Sequence, residues 1–82
     1  MVVVHRSYGY RFVIYTLDHE PAYVHVTGAG QAKIDLLGSS GRPELVYSVG
    51  IGRADLRRLM AEATVRRDDF LREWERIHGR RD

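Results

Sequence analysis

The chain has 82 residues, no cysteine and a formal net charge of +2. So short a chain makes one domain (1–82) with a thin core and a stability of roughly 5 kcal/mol, which a homodimer or a partner would support. Disulfides and thiolate zinc sites are excluded, no apolar run is long enough to span a membrane, and His5-Arg6 interrupts Met1-Val2-Val3-Val4 too early for a secretory leader; a cytoplasmic location without membrane contact is the expectation.

The first half, residues 1–52, reads as sheet. Tyr8, Tyr10, Phe12 and Ile14 alternate with Arg11, Val13 and Tyr15, the period of a strand. Leu17-Asp18-His19-Glu20-Pro21 reads as a loop or wide turn, and Pro21 opens the next strand without donating to a ladder. Ala22, Val24 and Val26 alternate with Tyr23, His25 and Thr27. Gly28-Ala29-Gly30 is a short hairpin turn, after which Ala32, Ile34 and Leu36 continue the apolar face. Gly38-Ser39-Ser40-Gly41-Arg42-Pro43 is a second turn, Glu44 to Val49 a further strand, and Gly50-Ile51-Gly52 closes the sheet. His5 reads as an N-terminal surface residue without a role.

Residues 53–79 read as helix. Leu56, Leu59, Met60 and Ala63 keep helical spacing, and Glu62 precedes Arg66 by four, the favourable order for a helix pair. Asp68-Asp69 marks a second start, with Phe70, Trp74 and Ile77 as its apolar stripe and Gly79 as its C-cap. Two helices with a break near Thr64–Arg67, or one long helix, fit this pattern. The fold class expected is α+β: an antiparallel sheet of three to four strands with two C-terminal helices packed on one face.

The hairpin pattern sets a register. A three-residue turn at Gly28-Ala29-Gly30 places Thr27 opposite Gln31, His25 opposite Lys33 and Tyr23 opposite Asp35. Opposed residues share a sheet face, so Tyr23, His25, Lys33 and Asp35 form a polar plaque away from the core, with His19 in reach from the adjoining loop. A slip of one residue would mix the faces. A histidine, a lysine and an aspartate together suit acid, base and anion-stabilising work; the same set also suits an ordinary solvated sheet face. With His19, His25 and Lys33 as catalytic residues, the two histidines as acid and base and Lys33 or Arg11 on the phosphate, the plaque has the parts of a metal-independent ribonuclease.

No metal or other cofactor is expected. His19 and His25, with Asp18 or His78, match no tight ligand spacing, and His78 reads as a boundary histidine near a helix end. Twelve of the thirteen basic residues are arginine, a side chain suited to carboxylates, phosphates and protein interfaces. The excess lies in residues 53–67, where Arg53, Arg57 and Arg67 are candidates for a phosphate or an acidic partner. A solvated, salt-bridged helix face explains the same run.

Tyr10-Arg11-Phe12, Asp18-His19-x-Pro21, His25-Val26 and Ala32-Lys33-Ile34-Asp35, with Arg53-x-Asp55-Leu56 and Glu73-Trp74-Glu75-Arg76-Ile77-His78-Gly79 near the end, resemble a family of small bacterial and phage-associated proteins catalogued as a domain of unknown function. Members usually carry H-V-H where this chain has Tyr23-Val24-His25, which weakens any mechanism needing three neighbouring imidazoles. The resemblance implies a cognate protein encoded by a neighbouring gene, in an arrangement similar to toxin–antitoxin operons. The expectation is an interaction module that binds that protein through the sheet edge or the helical arginines, with RNA or DNA as a further candidate ligand and Arg11, Tyr23, Asp35, Arg53, Arg57 and Arg67 as candidate binding residues. A ribonuclease-like toxin using the His/Lys cluster is the alternative.

Overall fold

A computed structural model describes residues 1–17 and 21–79. Strands β1 (Val2–Ser7), β2 (Tyr10–Ile14), β3 (Tyr23–Thr27), β4 (Gln31–Asp35) and β5 (Glu44–Val49) form one antiparallel meander, each strand beside its neighbour in sequence. Helices α1 (Arg53–Val65) and α2 (Arg67–His78) follow. The α+β class and the two C-terminal helices agree with the sequence reading; the sheet has five strands rather than three to four.

The extra strand is β1, and two local features hide it. Val3 pairs with Val13 and His5 with Phe12, so Val4 is an additional residue in the ladder and the alternation of the strand is broken there. The link to β2 is the two-residue turn Tyr8-Gly9, with φ of 53° and 78°, between the paired Ser7 and Tyr10. Two consecutive positive φ values are the geometry of a type I′ hairpin. Asn-Gly or Asp-Gly would announce such a turn; Tyr8 instead extends the apparent alternation of β2, which is why it reads as strand.

The β3–β4 hairpin has the predicted register. Tyr23 pairs with Asp35, His25 with Lys33 and Thr27 with Gln31, while Val24 and Val26 face Ile34 and Ala32. The Leu36 N–H donates to the Ala22 carbonyl at 2.9 Å, continuing the ladder past β4. One face of the sheet thus presents Phe12, Ile14, Val24, Val26, Ala32 and Ile34 to the helices, all essentially inaccessible to solvent. From above, α1 contributes Leu59 and Ala63, and α2 contributes Phe70, Leu71 and Trp74. The rings of Phe12 and Phe70 lie 5.3 Å apart, the central contact between sheet and helix.

The helices break at Arg66 (φ −101°, ψ 13°), which serves as the C-cap of α1 and the N-cap of α2. Asp68 and Asp69 occupy the first turn of α2, where carboxylates oppose the partial positive charge of the helix start. The Arg67 Nε–H donates to the Leu36 carbonyl at 2.8 Å, pinning this corner to the end of β4.

His5 is no idle surface residue. It pairs with Phe12 and so points toward the helices, its ring 5.6 Å from that of Phe12 and 6.1 Å from that of Phe70. Its Nε2–H donates to Glu62 Oε1 at 2.9 Å, and the same oxygen accepts from Arg66 Nε at 2.9 Å. β1 is thereby tied to α1 by a part-buried hydrogen bond. The sequence conceals this because the bulge at Val4 shifts which face His5 occupies.

Candidate functional site on the open sheet face

The helices cover one face of the sheet and leave the other open. Register assigns the open face directly. Across the middle of the sheet run Val3, Val13, His25, Lys33 and Tyr47; nearer the hairpin turns run Arg6, Arg11, Thr27, Gln31 and Val49; toward the opposite end lie Tyr23, Asp35 and Glu44. Tyr15, one residue beyond β2, joins this face through a near edge-on contact with His25, ring centroids 4.5 Å apart.

These side chains form a packed layer. Val13 is fully buried although no helix covers this face; its cross-strand neighbours are Val3 and His25. The Lys33 ammonium sits 4.0 Å from the centroid of the Tyr23 ring, within range of a cation–π attraction. Asp35 Oδ1 accepts the Leu37 N–H at 2.9 Å, so part of its capacity is spent on the turn after β4. The plaque of Tyr23, His25, Lys33 and Asp35 is therefore assembled as the hairpin register requires, and Arg11 shares its face. His19 lies outside the described residues.

Arg53, Arg57 and Arg67 are not brought to this face. They belong to the helical layer on the other side of the sheet. Arg53 and Arg57 are exposed on α1, whereas Arg67 is held by Leu36 and lies 3.5 Å from Asp68. His78 also belongs to the helical layer, packed on Trp74 with ring centroids 4.6 Å apart, so it cannot complete a ligand set with His25. Among the described residues no three His, Cys, Asp or Glu side chains gather as metal ligands, and no helix is long and apolar enough to cross a membrane.

The open face also contains residues that sequence reasoning left without a role. Tyr47 and Val49 are 45% and 66% exposed, and Val46, the additional residue of a bulge in β5, is 50% exposed. Together they make the β5 edge apolar where the face meets solvent. At the other edge, Arg6 lies opposite Arg11 and lines a shallow pocket of about 340 Å³. Alternation along β5 groups Tyr47 and Val49 with the core-facing Leu45; the bulge at Val46 puts them on the open face instead, and the sequence carried no signal of that. Arg6 carried none, since β1 was not legible as a strand.

Comparison with known proteins places this geometry in a family. No curated protein and no solved structure matches the chain. The family described as a domain of unknown function, DUF4160, matches residues 9–75, a stretch that runs from the β1–β2 turn into α2 and includes the whole β3–β4 hairpin. On that match, which covers well over half of its length, the chain belongs to the DUF4160 family.

Proposed function

We propose that this chain is a small interaction module, one component of a toxin–antitoxin-like pair, and that it binds the cognate protein encoded by the neighbouring gene through the open sheet face and the β5 edge. The observation that carries this reading is the composition of that face. Tyr15, Tyr23, His25 and Tyr47 lie among Lys33, Arg11 and Arg6, with Val46 and Val49 exposed along β5. Aromatic side chains and arginine are what protein interfaces enrich, and such residues dominate binding energy when they seat in a partner's pockets. The opposite face is occupied by the protein's own helices. Both edge strands carry a bulge, a device that discourages indiscriminate strand addition, so recognition falls to side chains on the face.

Co-expression with the product of the neighbouring gene, followed by titration calorimetry of the purified proteins, tests this. A stable 1:1 complex is expected. Tyr47→Asp should weaken it by about 2 kcal/mol or more, roughly thirtyfold in Kd, with the melting temperature of the free chain little changed. A complex of undiminished affinity in Tyr47→Asp and Lys33→Glu alike would overturn the reading.

A second reading rests on the direct pairing of His25 with Lys33: a ribonuclease-like toxin in which His25 moves a proton, Lys33 meets the phosphate and His19 supplies the second imidazole. Induced expression of the parent and of His25→Ala and His19→Ala variants, with total RNA integrity followed, tests it. RNA cleavage lost in each folded variant supports it; intact RNA in the parent sinks it.

A further inference from the structure

We infer that the pocket between the β1–β2 hairpin and the end of β3 is a binding site for a phosphate group, with Arg6 and Arg11 as its two cationic arms. The site shares Arg6 and Arg11 with the protein-binding face proposed above but stands on other observations. Arg6 and Arg11 are register partners, placed directly opposite one another on the open face. Like charges so placed destabilise a strand pair. Neither guanidinium has a hydrogen bond or ion pair among the described residues. In the helical layer Arg58, Arg66, Arg67, Arg72 and Arg76 each lie against a carboxylate, and only Arg53 and Arg57 do not among the described residues. An unneutralised arginine pair across a hairpin is a charge arrangement that an anion completes.

The surroundings fit a compact anion. Both arginines line the pocket together with Ser7, Tyr10, Thr27 and Gly28. Thr27 follows Arg11 in the same cross-strand row, and its hydroxyl is buried with no hydrogen-bond partner among the described residues. That group costs free energy as it stands and would gain by donating to an oxyanion that displaced the local packing. Gly28 is held to glycine by space: a Cβ there would stand 2.6 Å from Tyr10 Cδ2 and 3.1 Å from the Gly9 carbonyl oxygen, both in residues that line the pocket. Two planar, permanently charged forks lining one pocket match a phosphate, which offers several oxygens and more than one negative charge; a single carboxylate would satisfy one fork and leave the other uncompensated.

The phosphate could belong to a free monoester or to a nucleic acid strand, and one experiment separates these. The full chain, ¹⁵N-labelled, is titrated with inorganic phosphate, with adenosine monophosphate and with a short single-stranded oligouridylate. Saturable shifts are expected at the Arg6, Arg11 and Thr27 amides. Arg6→Gln and Arg11→Gln should each weaken binding roughly tenfold or more, while Arg42→Gln, in the loop before β5, should leave it unchanged. Tighter binding of the oligonucleotide than of the mononucleotide assigns the site to a nucleic acid backbone; equal or weaker binding assigns it to a free phosphate monoester. A folding control comes with the same variants. In low-salt buffer without phosphate, removing one of two opposed charges should leave the melting temperature equal or higher, and added phosphate should raise it in the parent alone. No saturable shift with any of the three probes at millimolar concentration, or undiminished binding in both arginine variants, would overturn the inference.

Discussion

At the scale of single residues, backbone conformation explains what side-chain patterns miss. Tyr8 holds a left-handed φ of 53°, a conformation that costs an ordinary L-residue on the order of 1 kcal/mol. Asparagine accepts it readily, and Asn-Gly is the preferred pair for this turn. Tyr8→Asn should therefore stabilise the chain by about 0.5–1 kcal/mol, seen as a rise of several degrees in melting temperature; a fall would mean that the ring's approach to Arg58, 5.9 Å from its centroid, outweighs the strain. Gly30 is constrained by space. A Cβ at that position would lie 2.4 Å from the Gly50 backbone, where the β3–β4 turn meets the exit from β5. Gly30→Ala should cost more than about 2 kcal/mol, read from denaturant unfolding. The glycines at 28 and 30 were legible as a turn; that one of them is also a backbone crossing was not, because the chain that crosses it arrives twenty residues later.

At the scale of elements, legibility follows periodicity. The β3–β4 hairpin was readable to the register, since its apolar and polar sets are both unbroken and a slip would mix them. The helices were readable from their stripes, and Leu59, Ala63, Phe70 and Trp74 occupy the positions their spacing required. β1 was not, because a bulge and an unusual turn interrupt the only signal a strand has. With β1 went the role of His5 and the presence of Arg6 on the open face. The tie between β1 and α1 makes its own prediction. Arg66, chiefly, and His5 hold the Glu62 carboxyl below its ordinary value of 4.5 by hydrogen bonding to its charged form. A carboxylate whose pKa is lowered on folding adds stability above its unfolded pKa, and that contribution disappears as pH falls through the folded value. Glu62→Gln should cost about 0.5–1 kcal/mol at neutral pH and nothing at pH values below the folded pKa, so the stability–pH curves of parent and variant should converge in acid. Curves that stay parallel would show that the contact contributes no charge-dependent stability.

At the scale of the whole molecule, the chain is a sheet with two different faces. One is sealed by α1 and α2 around Phe12, Phe70 and Trp74, and the core is thin enough that one large side chain carries much of the stability. Trp74 is 2% exposed; Trp74→Ala should cost roughly 3–5 kcal/mol, enough to leave a domain of this size largely unfolded, as loss of the cooperative melting transition would report. The other face is a layer of tyrosine, histidine, lysine and arginine that α1 and α2 leave uncovered. The sequence pointed to the centre of that face through His25, Lys33 and Tyr23, and to helical arginines that the fold places on the far side of the sheet. The most direct measurement is amide chemical-shift mapping of the labelled chain as the neighbouring gene's protein is added. Perturbations concentrated at Arg11, Tyr23, His25, Lys33, Tyr47 and Val49 are expected, with the exposed faces of α1 and α2 unmoved. Perturbations confined to the helices, or none at all with the two proteins mixed at high concentration, would contradict binding through the open face.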